Sequence, residues 1–142
     1  GFTLTELLVV VAILGVLSAV GIVSYNGYVG SAQRKSAENL MQQIALAQSE
    51  HLSDNGTYYS VTESTCDPTR DTLADIYQNL LGSTTAARAT EKAKDSAFAI
   101  CISKDERGEE ATQTDYLITA SEINGTLEIY MNSEGEIDTN EE

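Results

Sequence analysis

Glu6 is the only side chain charged at neutral pH in the first thirty-three residues, and it stands at the mouth of an apolar run over residues 7–23 that contains no proline. At about 1.5 Å rise per residue, roughly twenty helical residues match the ~30 Å hydrocarbon core of a bilayer. Phe2 and Leu4 extend the run on the far side of Glu6, so the segment is long enough to span a membrane. A carboxylate at the edge of such a helix is expensive and persists only where something pairs with it. The cation nearest to hand is an amino terminus, its own or a neighbour's. A cleaved secretory signal would carry a basic stretch before the run, a shorter apolar core and a small-residue cleavage site after it. No basic residue stands ahead of this run, and Ser18, Ala19 and Gly21 are followed by more helix-compatible residues, so the run is expected to stay with the protein.

Beyond the run, residues 24–30 are small and polar with Tyr25 and Tyr28, suited to headgroup depth. Arg34-Lys35 is the first basic pair and reads as an exposed helix face. From Ala37 onward, Leu40, Met41, Ile44, Ala47 and Leu52 follow at helical spacing and define one apolar face, which needs a partner domain. Asp54-Asn55-Gly56 supplies a stop signal. A helix over residues 4–54 would be about 75 Å long, suited to a filament spine rather than an ordinary globular element.

The remaining residues suffice for one small domain. Residues 57–95 read as a connecting region with a short helix over 72–81 and a polar Thr/Ala stretch after Gly82. Three strands are expected over 98–103, 115–121 and 126–131. Asn124-Gly125 is a hairpin signal because both residues tolerate positive φ. The fold class is therefore α+β, a long amino-terminal helical spine with a small antiparallel sheet head packed on its carboxyl half. Residues 1–54 form the helix, transmembrane over 2–24 and amphipathic over 25–54. Residues 55–142 form the head: connecting region 55–97, sheet 98–131, acidic tail 132–142.

Cys66 and Cys101 fall in the part expected outside the membrane, where an even pair favours a disulfide. The chain-entropy model puts such a staple at about 3–4 kcal/mol. Two inert buried thiols and a metal pair are the alternatives, and without a His cluster the pair makes a poor metal site. From residue 105 to 142 there are twelve acidic residues and one basic, Arg107, within a chain of net charge −14. That balance disfavours direct DNA binding, which draws its affinity from Lys and Arg. Acidic surfaces are usually simply solvated. Asn132, Glu134, Glu136 and Asp138 set oxygen ligands around Gly135, a weak calcium candidate that lacks the full twelve-residue loop pattern. His51, the sole histidine, reads as a helix-face residue. No nucleophile elbow or phosphate loop is present, so neither an enzyme nor a cofactor is expected. Asn55-Gly56-Thr57 and Asn124-Gly125-Thr126 fit the glycosylation sequon, the second with an acid, Glu122, two residues before it; Asn-Gly turns account for both equally.

Gly1-Phe2-Thr3-Leu4-Thr5-Glu6-Leu7-Leu8-Val9-Val10-Val11-Ala12-Ile13-Leu14-Gly15-Val16-Leu17 resembles the amino-terminal signature of type IV pilins and the related type II secretion pseudopilins. The resemblance covers about the first fifty-five residues. It implies that a prepilin peptidase in the membrane cuts after Gly1 and methylates Phe2. It also implies that Glu6 attracts the amino terminus of an adjacent identical subunit and sets axial register. The subunit would wait in the inner membrane and, with the pilus assembly machinery, join a surface filament serving adhesion or motility. Calcium sites are known among pseudopilins. Two departures stand out. Thr5 replaces the usual isoleucine or leucine, and Val23 stands where the family often has a proline. Without that proline, local melting must come from glycines, foremost Gly15 and Gly21. The cysteine spacing also differs from that of the best-known pilins. A pseudopilin forming a short periplasmic piston is the rival reading. A monomeric membrane-anchored binding protein, which would not need Glu6, is a third.

Overall fold

The computed structural model describes residues 1–62, 66–104 and 115–140, leaving out the side chains of Val23, Ser24 and Asn26. Much of the acidic run, with Arg107, therefore lies outside the described residues, as do Glu141 and Glu142 of the acidic tail. The long amino-terminal helix α1 runs Leu4–Asn55, 52 residues. It crosses two compact units, Gly1–Lys35 and Ser36–Glu142.

In the first unit α1 starts at a reciprocal cap. Thr3 Oγ1 accepts from the Glu6 amide at 3.3 Å, and the Thr3 amide donates to Glu6 Oε2 at 2.8 Å, the pattern of a capping box. The helix then continues through Gly15, Gly21, Gly27 and Gly30. Ser18 and Ser31 return their hydroxyls to the carbonyls of Leu14 and Gly27 at 2.7 and 3.1 Å. Helix polar groups in an apolar stretch are satisfied this way, inside the segment.

In the second unit the carboxyl part of α1 buries Ala37, Met41, Ile44 and Gln48, the i, i+4, i+7, i+11 positions of one helical face. Gly56, at φ +76°, ends the helix in the left-handed conformation that favours glycine. Two short helices follow, α2 (Arg70–Asn79) and α3 (Ala86–Asp95). A four-stranded antiparallel sheet comes next, in order β1 (Phe98–Lys104), β2 (Tyr116–Glu122), β3 (Glu128–Asn132) and β4 (Ile137–Thr139). Its register aligns Ile102, Ile118, Met131 and Ile137 in one row and Ile100, Ala120 and Ile129 in the next. These rows, apart from Ile137, share one hydrophobic cluster with Ala37, Met41, Ile44, Leu73, Ile76 and Ala93. The edge strand β1 is covered rather than left open. Val61 donates its amide to the Ile102 carbonyl at 2.9 Å, and Thr72 Oγ1 donates to the Ile100 carbonyl at 2.8 Å. Covering an edge in this way removes a template for unwanted pairing.

Three features differ from the sequence expectation. The Thr/Ala stretch after Gly82 is a helix, α3, capped by Thr85, whose hydroxyl accepts from the Arg88 amide; its many alanines are strong helix formers and Lys92 and Lys94 suit its last turn. The sheet gains β4 within the segment expected to be an acidic tail. The β2–β3 hairpin forms, but no non-glycine residue among those described has positive φ, and Gly125 does not either. The strands close instead at a longer loop, with the Glu122 amide donating to the Leu127 carbonyl at 2.9 Å.

Candidate functional site

The amino-terminal end of α1 brings together the residues that carry the chemistry. Both the amide and the hydroxyl of Thr3 donate to the same Glu6 oxygen, Oε2, each at 2.8 Å. The carboxylate is thus oriented by its own chain through one oxygen. Its second oxygen, Oε1, accepts no hydrogen bond among the described residues and is open to an external cation. Phe2, which precedes this cap, is 92% exposed.

Behind Glu6 the large apolar side chains from Leu7 to Ile22 are all between 51% and 67% exposed. They point in every direction around the helix, and among the described residues none of them is buried. Among the described residues one helix, α1, is long and apolar enough to cross a membrane. A surface of this kind marks a contact with lipid or with other protein. Gly15 and Gly21 lie within it in helical conformation, and a Cβ at either would meet nothing.

The other residues singled out by sequence fall in the second unit. Cys66 and Cys101 form a disulfide with a Cα–Cα distance of 6.2 Å, tying the connecting region to the buried centre of β1. Asn132, Glu134, Glu136 and Asp138 belong to the β3–β4 hairpin. There Asn132 Oδ1 accepts from the amides of Glu134 and Glu136 at 3.1 and 2.9 Å, and its Nδ2 donates to Glu136 Oε2 at 2.9 Å. The oxygen that would serve a cation is engaged in holding a turn closed by Gly135 at φ +84°. Among the described residues no three His, Cys, Asp or Glu side chains converge to hold a metal ion. His51 Nδ1 donates to the Thr57 carbonyl at 2.8 Å and its ring meets Tyr59 edge-on. Asn55 caps the end of α1 by donating to the His51 carbonyl, and Asn124 sits exposed in the β2–β3 loop.

Sequence reasoning missed two residues. Thr3 was legible as the first member of the Thr-x-x-Glu capping signature. Gln48 interrupts the apolar stripe of α1 yet is fully buried, and its amide grips the Tyr59 backbone at both ends: Nε2 donates to the carbonyl at 2.7 Å and Oε1 accepts from the amide at 2.8 Å.

Comparison with known proteins concentrates on this same amino-terminal segment. Residues 1–22 match the family model described as the prokaryotic N-terminal methylation motif. The chain is 43% identical over 58 residues to fimbrial protein EcpC of Eikenella corrodens, covering 41% of this chain and 38% of that one. It is 41% identical over 54 residues to type IV major fimbrial protein FimA of Dichelobacter nodosus, covering 38% and 34%. The alignments thus span little more than a third of the length of these relatives. No solved structure matches the chain. The methylation motif and the fimbrial similarities support a type IV pilin family for this protein.

Proposed function

We propose that this protein is a structural subunit of a type IV pilus-like filament, held in the inner membrane by α1 before assembly and then packed into the filament through the same helix. The observation that carries this reading is Glu6 beside an apolar helical segment exposed on every side, in a stretch that matches the methylation motif. Its relatives are named as fimbrial proteins, and the role here is assembly rather than catalysis.

The proposed role entails a specific sequence of events. A prepilin peptidase cuts between Gly1 and Phe2 and methylates Phe2, which leaves a cationic amino terminus one residue before the Thr3 cap. Thr3 holds the Glu6 carboxylate through Oε2, so the side chain is oriented before a partner arrives. The amino terminus of an adjacent identical subunit then pairs with Oε1. This exchange replaces an apolar neighbour by a cation, which relieves the cost of a carboxylate at the hydrocarbon edge. Packing of apolar helices against one another supplies the rest, since lipid offers no hydrophobic driving force between them.

The test is Glu6→Ala in the full-length protein, scored by membrane fractionation and by electron microscopy of material sheared from the cell surface. The variant is expected to insert normally and to yield no filaments or misregistered ones. Normal filaments from it would refute the pairing role, and retention of the unsubstituted protein in the envelope without surface filaments would favour a secretion pseudopilin.

A further inference from the structure

We infer that Asn124 is the acceptor of an asparagine-linked glycan, and that Asn55, whose tripeptide has the same form, is not. The acceptor segment is Glu122-Ile123-Asn124-Gly125-Thr126, an acid two residues before the asparagine and a hydroxyl two residues after it.

The reaction sets clear demands on the acceptor. The side-chain nitrogen Nδ2 attacks the anomeric carbon of an oligosaccharide carried on a lipid diphosphate. An N–C bond forms, the C–O bond to phosphate breaks, the lipid diphosphate leaves with the bonding electrons, and Nδ2 gives up one proton to a base of the transferase. No oxidation or reduction is involved. The amide must therefore be exposed and free of internal hydrogen bonds, on backbone that already turns back on itself.

Asn124 meets each demand. It is exposed, and its side chain makes no hydrogen bond among the described residues. The Gly125 amide donates to the Glu122 carbonyl at 3.4 Å, which places Asn124 as the third residue of a four-residue turn. The Glu122 carboxylate lies across that turn, in the space that a Cβ at position 125 would occupy, so the acid and the asparagine are presented together. Thr126 is exposed and, among the described residues, lends only its carbonyl to the fold, accepting from Asn140 Nδ2 at 2.8 Å, which leaves its hydroxyl to be read. The hairpin closes beneath the loop at Glu122 and Leu127, so a bulky solvated group at 124 displaces no core contact.

Asn55 fails where Asn124 succeeds. Its Nδ2 already donates to the His51 carbonyl at 3.1 Å at the last turn of α1, and the residue two before it is Ser53 rather than an acid. An independent observation concerns the compartment. The Cys66–Cys101 disulfide places this unit on the oxidising side of a membrane, the side on which lipid-linked oligosaccharides are transferred in bacteria.

The experiment produces the full-length chain in a bacterial envelope together with an oligosaccharyltransferase of the class that reads an acid at −2 and its lipid-linked oligosaccharide. Intact mass and peptide mapping follow, with non-reducing mass confirming the disulfide. The expected result is a mass increment of one oligosaccharide on the peptide that contains Asn124. The increment is lost in Asn124→Gln and in Glu122→Gln and retained in Asn55→Gln. Disulfide-intact protein with no increment on that peptide, or an increment that survives Asn124→Gln, overturns the assignment.

Discussion

Gln48 and Thr3 use one device in two settings: a side chain satisfies backbone groups, or is held by them, where water does not reach or is not wanted. Gln48 binds the Tyr59 amide and carbonyl as a strand partner would and joins the carboxyl end of α1 to the segment that follows it. Gln48→Leu conserves volume but leaves both Tyr59 groups without partners in a partly buried setting. Leaving a buried polar group unsatisfied costs about 1–3 kcal/mol. The variant is expected to lose about 2–3 kcal/mol in denaturant unfolding of the full-length protein in detergent, and a change within error would mean that water replaces the clamp. Gln48 was hidden in the sequence because a polar residue on a helix stripe looks like a break in the pattern. Its partner lies eleven residues away, beyond the reach of periodicity. Glu6 was conspicuous for the opposite reason, as a lone charge in an apolar field.

At the scale of elements, α1 was the most legible feature, because a charge-free run, an apolar stripe from Ala37 and the Asp54-Asn55-Gly56 stop all point to one helix; it ends at Asn55. The strands β1 to β3 were legible as β-branched and aromatic runs, and each agrees with its expected range to within about two residues. The fourth strand was not, because Ile137–Thr139 is three residues long among acids and is defined only by pairing with β3. Helix α3 was missed because its buried face consists only of Ala89 and Ala93, too small to register as an apolar stripe. Inside α1, Gly15, Ser18 and Gly21 form a weak stretch. Each glycine costs about 0.5–1 kcal/mol against alanine, and Ser18 bonds back to the Leu14 carbonyl just before Gly15, a contact that slightly weakens helices. If this stretch unwinds on assembly in place of a proline-induced break, Gly15→Ala with Gly21→Ala should keep membrane insertion normal and reduce filament yield. The comparison is read against helix density over residues 15–23 in unsubstituted filaments. Unbroken density there, with undiminished yield from the double variant, would exclude unwinding at this place.

On the scale of the whole molecule, the two units obey different solvents. Residues 1–35 expose apolar side chains on all sides, whereas residues 36–142 close a core around α1, the sheet and two short helices, stapled by a disulfide. In the second unit two tyrosines with raised pKa values, Tyr116 and Tyr77, bear on stability at high pH. Tyr116 packs edge-on against Tyr58 at 4.8 Å between ring centres. Burial, with the neighbouring Tyr58 phenol, raises its pKa above the ordinary tyrosine value; burial alone raises that of Tyr77. The ring of Tyr77 carries Lys92 Nζ at 5.2 Å. A raised pKa in an acid that is neutral when protonated means that the unfolded chain gives up its proton first. The unfolded state then binds fewer protons than the folded one, so stability falls as pH rises. The contribution is fully present below the unfolded tyrosine pKa of about 10 and is lost as pH climbs through the folded value. Thermal unfolding of the full-length protein in detergent, in enough salt to screen its surface carboxylates, should give a melting temperature that falls above about pH 10. Tyr116→Phe should flatten that fall relative to the unsubstituted protein. Equal slopes for the two proteins would show that ionisation of this phenol is not what limits the head at alkaline pH.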